Sequence, residues 1–311
     1  MIDTKISWAH ATWNPWTGCK RMSAECVGCY ADALLRRGGR KFSILVPTQT
    51  WRTPYQLDAR AKGANRQAIC FVCSLSDFFH ADADRWRPDA WRVIRDCQNV
   101  NFMLLTKRPE RISDCLPSDW GDGMRYPNAW MGTTCGVRSS YHRVDALRSI
   151  PCALRFLSIE PLMESVADID LNGVGWVAAG GMSGTLHAKH KMEMAWAAEV
   201  HDLCRALEIP FLFKQSSDIY TERGINGLSL YLARRAGQEV DPATVPLIRE
   251  YPEASLPLLP FVEHGTRFTV AEYRHYAQDC HAMAAASQLT HRRTDHEMAE
   301  NPYEQRTLAI L

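Results

Sequence analysis

The stretch Leu154-Arg155-Phe156-Leu157-Ser158-Ile159-Glu160-Pro161 sets the fold. A short, mostly apolar run passes straight into a carboxylate and a proline. An apolar run without strict alternation suits a strand covered on both faces, as in a parallel sheet. The same form recurs on either side of it. Lys5–Trp13, Ala68–Cys73, Asn101–Leu105 and Ala129–Thr134 come before; Val174–Ala179 and Phe211–Phe213 come after. Helical segments lie between several of these runs: Tyr30–Arg37, Asp89–Gln98 behind Pro88, Tyr141–Ser149, and Glu193–Leu207, which stops before Pro210. The later runs repeat every 20 to 35 residues or so, about the size of a βα unit. The expected fold class is α/β, a full or partial parallel (β/α) barrel, with a doubly wound open sheet as the alternative.

Two regions break the rhythm. Gly38–Gln67 reads as an insertion. Past Ser217 the alternation stops, and Ala233–Pro260 reads as loop. Thr269–Gln288 reads as a helix capped by Thr269, with Glu272 three residues on. The last twenty residues are polar and are expected to be mobile. The barrel is therefore assigned to 1–217, with the 38–67 insertion, and a helical and irregular C-terminal extension to 218–311.

A chain of 311 residues holds two average domains or one large barrel. Its 36 Lys and Arg against 35 Asp and Glu leave a net charge of +1, so no global basic field announces nucleic acid. No apolar run approaches a membrane span, and Met1–Lys5 lacks the layout of a signal peptide. A cytoplasmic protein without membrane contact is the expectation. Eleven cysteines, an odd number, then point to reduced thiols, some of them candidate metal ligands.

Three of those thiols stand together in Thr17-Gly18-Cys19-Lys20-Arg21-Met22-Ser23-Ala24-Glu25-Cys26-Val27-Gly28-Cys29-Tyr30, a C-x6-C-x2-C pattern just after the first apolar run. Gly18 and Gly28 let the backbone bend beside a bound centre. The two-residue gap between Cys26 and Cys29 brings two thiolates onto one centre. Three cysteines on a [4Fe–4S] cubane leave one iron open. Zinc, with a distant fourth ligand such as His10, and plain loop cysteines are the other readings. Cys70 and Cys73 repeat the two-residue gap but sit in an apolar run, where thiols act as small fillers.

This segment, together with Ser76-Asp77-Phe78-Phe79, Leu105-Thr106-Lys107-Arg108-Pro109, Trp130-Met131-Gly132-Thr133-Thr134, Arg155–Leu162, Gly180-Gly181-Met182-Ser183-Gly184 and Phe213-Lys214-Gln215, resembles the phage Gp37/Gp68 family, a domain of unknown function. That family in turn looks like a divergent branch of the radical S-adenosylmethionine (SAM) enzymes. Their usual spacing is C-x3-C-x2-C; here the first gap is six. The resemblance implies a barrel of the radical SAM type, a [4Fe–4S] cluster on Cys19, Cys26 and Cys29, and SAM as cofactor.

A parallel barrel carries its chemistry at the C-terminal ends of its strands. Position there, joined to the resemblance, nominates Ser76, Asp77, Thr133, Thr134, Gly180 and Gly181 for SAM. Lys107, Glu160, Lys214 and Gln215 are nominated for the substrate. Asp77 as a helix cap, Lys107 and Arg108 as a solvated pair, and Gly180-Gly181 as a plain turn are the bland alternatives. The expected activity is reductive SAM cleavage followed by hydrogen abstraction from a substrate, with a nucleobase or nucleic acid suited to a phage enzyme. Its partners would be that substrate and an external one-electron donor. The competing reading is a non-catalytic zinc or cluster protein touching nucleic acid through Arg36, Arg37, Arg40 and Lys41.

Overall fold

Seven parallel strands follow one another across a single sheet in chain order. They are β1 (Ala11–Trp13), β4 (Ala68–Val72), β5 (Val100–Thr106), β6 (Ala129–Thr134), β7 (Arg155–Ile159), β8 (Trp176–Ala179) and β9 (Phe211–Phe213). The computed structural model describes residues 1–278. Each strand pairs with the next, and the sheet curls into an open half-barrel. All but two of the residues in these strands are buried, as the continuous apolar runs require.

The helices α1 (Tyr30–Arg37), α2 (Thr53–Gly63), α3 (Arg87–Asp96), α4 (Ile112–Cys115), α5 (His142–Arg148) and α6 (Met194–Ala206) occupy the crossovers, and α7 (Gly227–Arg235) follows β9. No helix among the described residues is long and apolar enough to cross a membrane.

The expected insertion at 38–67 contains α2, which begins at Thr53-Pro54 and buries Leu57 and Ala61. It packs on β1, β4 and β5, as a crossover helix does. A two-residue ribbon, β2 (Trp16–Thr17) against β3 (Val46–Pro47), ties off residues 18–45 as an excursion holding all three cysteines of the motif.

Inside the barrel, alternate residues form one cluster: Ile69 and Phe71, Met103, Trp130, Phe156, Trp176 and Ala178, and Leu212. Gly132 belongs to this face because a Cβ there would lie 2.2 Å from the Phe156 ring. Continuing the same two-residue step beyond Met103, Phe156 and Leu212 leads to Lys107, Glu160 and Lys214 at the carboxyl rim.

The gap between β1 and β9 is closed by irregular chain. Trp8 and Ala9 join the core cluster from one side, with Tyr251, Leu258 and Phe261 packed against it from the other. Trp176 Nε1 donates to Glu250 O at 2.9 Å, and Tyr251 stacks on Phe261 with ring centroids 4.4 Å apart.

The expected loop at 233–260 is thus irregular beyond the end of α7 but fills the core. The compact unit runs from Met1 to Phe268, so residues 218–268 are part of the barrel body. In the second unit, Thr269 Oγ1 accepts from Glu272 N at 3.3 Å and Glu272 Oε2 accepts from Thr269 N at 2.9 Å, the anticipated capping box. The rest of that expected helix beyond residue 278, and the polar tail, lie outside the described residues.

Candidate functional site

One cavity of about 200 Å³ opens at the carboxyl ends of the strands. Cys19, Cys26 and Cys29 line it, as do Ser76, Asp77, Lys107, Thr134, Glu160, Gly181, Lys214 and Gln215. Of the nominated residues, Thr133 and Gly180 stay off its wall. Thr133 is fully buried and donates to Thr106 O at 2.8 Å, joining β6 to β5. Gly180 is covered by the chain at Lys214-Gln215, 3.3 Å from where its Cβ would be.

The cysteine loop is held at several points. Gly18 has φ +103°, and a Cβ there would lie 2.3 Å from Ile44 O. Its carbonyl accepts from Ser76 Oγ at 2.5 Å, and its N–H donates to Leu75 O at 3.0 Å. Gly28, at φ +72°, lies against Met182 and Leu186. Glu25, inside the motif, is buried: Ser140 Oγ donates to it at 2.6 Å and Arg143 Nη1 at 3.2 Å. Arg143 also donates to Thr134 O at 3.1 Å, so the loop is bolted to the end of β6.

Asp77 is saturated. Oδ1 accepts from Thr106 Oγ1 at 2.7 Å and Phe79 N at 2.9 Å; Oδ2 accepts from Lys107 N at 3.1 Å and Arg108 Nη1 at 2.9 Å. It caps the following turn and aims Arg108, whose Nη1 lies 3.7 Å from Cys19 Sγ. Arg108 is accordingly not a solvated loop cation. Gln215 is engaged at both ends of its amide, donating to Gly181 O at 3.0 Å and accepting from Glu222 N at 2.6 Å.

Lys214 Nζ meets Glu160 Oε2 at 2.6 Å. Burial opposes the Lys214 charge, but the Glu160 carboxylate outweighs it and raises the lysine above its ordinary value. Thr134 Oγ1 and Glu25 Oε2 are buried with no hydrogen-bond partner among the described residues.

Every cysteine among the described residues is a free thiol. Those of the motif are half-buried and differ electrostatically. Burial and the Asp77 carboxylate push Cys19 up to about 11, against Arg108. Burial also acts upward on Cys26, but the Met22 backbone and the Lys107 charge prevail and lower it. Cys73 lines the same cavity with φ +58°, and burial holds its thiol well above the ordinary value.

The three thiols of the motif line the same cavity. Among the described residues no three of His, Cys, Asp or Glu are gathered to suit one ion. His10 is not a spare zinc ligand: Nδ1 accepts from Ile69 N at 2.8 Å and Nε2 lies 2.9 Å from Leu259 O. Cys19, Cys26 and Cys29 line one cavity together with Lys107 and Arg108, a donor set whose chemistry suits a cluster that takes a different cysteine on each iron.

In the basic segment, Arg36 joins Arg21 on the buried Asp32, and Arg40 donates to Thr17 Oγ1 at 2.7 Å. Arg37 and Lys41 are exposed. Sequence reasoning missed Glu25, Tyr30 and Cys73 as cavity residues; only the position of Glu25 between two motif cysteines marked it.

Residues 3–252 match the model of a family described as Protein of unknown function (DUF5131). No curated protein and no solved structure matches the chain.

Proposed function

We propose that this chain, which belongs to the DUF5131 family, is a radical SAM-like iron–sulfur enzyme. One observation carries the reading: three half-buried thiols of a single loop share a cavity with the polar ends of several parallel strands. The resemblance to phage Gp37/Gp68 proteins, and through them to radical SAM enzymes, adds to it. Cys19, Cys26 and Cys29 would hold a [4Fe–4S] cluster, which when bound supplies one-electron cleavage of SAM and thereby hydrogen abstraction from the substrate.

The chain's own residues position and shield. Lys107 and Arg108 offset thiolate charge. Thr134 lines the cavity on the side of the SAM carboxylate or ribose, its hydroxyl buried without a partner among the described residues. Gly181 lines the cavity beside adenine or ribose, and its missing side chain makes room for Ser217, whose N would lie 2.4 Å from a Cβ there. Ser76 and Asp77 hold the loop and Arg108 in place around the cofactor. Lys214 and Glu160 face the substrate, while Gln215 fixes the backbone behind them. The aromatic core below keeps the reacting groups out of bulk water. An external donor would deliver the electron.

Anaerobically reconstituted protein, reduced with dithionite, should convert SAM to 5′-deoxyadenosine even without substrate. A brown, iron-loaded protein that leaves SAM intact would refute the enzymatic reading and leave a structural cluster. A colourless zinc protein would refute both.

A further inference from the structure

A second, smaller chamber of about 130 Å³ lies inside the barrel. Tyr30, Phe71, Leu105, Glu160 and Lys214 line both it and the cavity of the three cysteines, so the two spaces share a boundary. An apolar cavity of about 150 Å³ is known to admit benzene. The chamber is therefore sized for one six-membered ring, not a fused pair. Its apolar walls are mainly Trp8, Phe71, Met103 and Phe156.

Its polar lining comprises Tyr30, Ser158, Glu160, Ser183, Lys214 and Thr221. Trp8 gives the chamber its ring, while the indole N–H is sealed from open space and has no hydrogen-bond partner among the described residues. Glu160 gives one oxygen to Lys214 and leaves the other to accept. Lys214 spends one of its three protons on Glu160 and stands 5.7 Å from the centre of the Trp8 ring. A hydrocarbon ring would leave the second Glu160 oxygen and the remaining Lys214 protons unbonded. An anionic ring would gain little, since Glu160 already balances Lys214 and would repel it. A ring offering both an acceptor and a donor answers Glu160 and Lys214 together.

We propose that this chamber binds a planar six-membered nitrogen heterocycle carrying a ring N–H and a carbonyl, of the pyrimidine class. The N–H donates to Glu160, and a carbonyl oxygen accepts from Lys214. Naming this ring as the part of the substrate held beside the cofactor rests on the radical SAM reading; the binding itself does not.

The test is fluorine NMR of 5-fluorouracil with the full-length protein, before and after cluster reconstitution. The resonance should broaden at millimolar ligand, and uracil but not benzene or benzoate should restore it. Lys214→Met keeps the side-chain stem and removes the donor, and should weaken binding about three- to tenfold, the worth of one hydrogen bond. Glu160→Gln uncovers the Lys214 charge and should let benzoate compete. If Lys214→Met does not fold, as judged by circular dichroism, Glu160→Gln decides alone. An unbroadened resonance, competition by benzene equal to uracil, or wild-type behaviour of the folded variants would overturn the proposal. Ring binding without SAM cleavage would sink only the enzymatic reading; SAM cleavage without ring binding would sink only this one.

Discussion

Glu25→Gln removes one charge and almost no volume, yet it should loosen the cysteine loop. Glu25 is 4% exposed and Arg143 is 3% exposed, so the variant strands a guanidinium away from water. Breaking such a buried pair costs roughly 3–5 kcal/mol. Here the lower end applies. Arg143 keeps its bond to Thr134 O at 3.1 Å, and Arg143 Nε has no partner among the described residues even in the intact network. A loss of about 3 kcal/mol in a domain of this size lowers Tm by roughly 6–12 °C. Thermal unfolding followed by circular dichroism reads it. Glu25→Gln combined with Arg143→Met removes the stranded cation and should regain most of the loss. Because Cys26 follows Glu25 directly, the single variant should also retain less iron after reconstitution. A Tm within about 2 °C of the wild type would refute the argument that this pair anchors the loop.

Other outcomes follow from individual contacts. His10 is held neutral: burial lowers it, outweighing its hydrogen bonds to the backbone. Its unfolded form takes up protons first, so stability should fall as pH drops below about 6.5, and His10→Gln should flatten that slope in urea titrations. Gly132→Ala puts a methyl into the Phe156 ring and should cost about 1–3 kcal/mol by urea denaturation, regained in part by Phe156→Leu. Cys73→Ser should leave iron content unchanged; a fall would make Cys73 a fourth ligand and close the open iron. Lys214→Ala should retain the cluster and uncoupled SAM cleavage, measured as 5′-deoxyadenosine, while weakening 5-fluorouracil binding.

The barrel was legible because its strands are buried on both faces, and such runs as Ala129–Thr134 cannot be mistaken for solvent-facing chain. The first run was read too long. Only Ala11–Trp13 pairs in the sheet, since Trp8 and Ala9 turn in to fill the core. Helix α2 escaped notice because Pro54, Leu57 and Ala61 alone are buried among charged neighbours, which blurs the helical period. The closing segment escaped for another reason. Tyr251, Leu258 and Phe261 are partly buried by stacking and by isolated backbone contacts, and neither leaves a repeating pattern.

Candidate site residues were legible where strand ends point into one mouth, as for Lys107, Glu160 and Lys214. Thr133 and Thr134 show the limit. Adjacent strand residues face opposite sides, so only Thr134 reaches the cavity. Glu25 depends on Ser140, 115 residues away, and no local pattern reports such a partner.

The most direct measurement is iron and sulfide per chain after anaerobic reconstitution, for the wild type and for Cys19→Ala, Cys26→Ala and Cys29→Ala together. The account predicts about four of each in the wild type, as one cubane requires, and almost none in the triple variant. Unchanged iron in the triple variant, or one zinc per chain in the wild type, would contradict it.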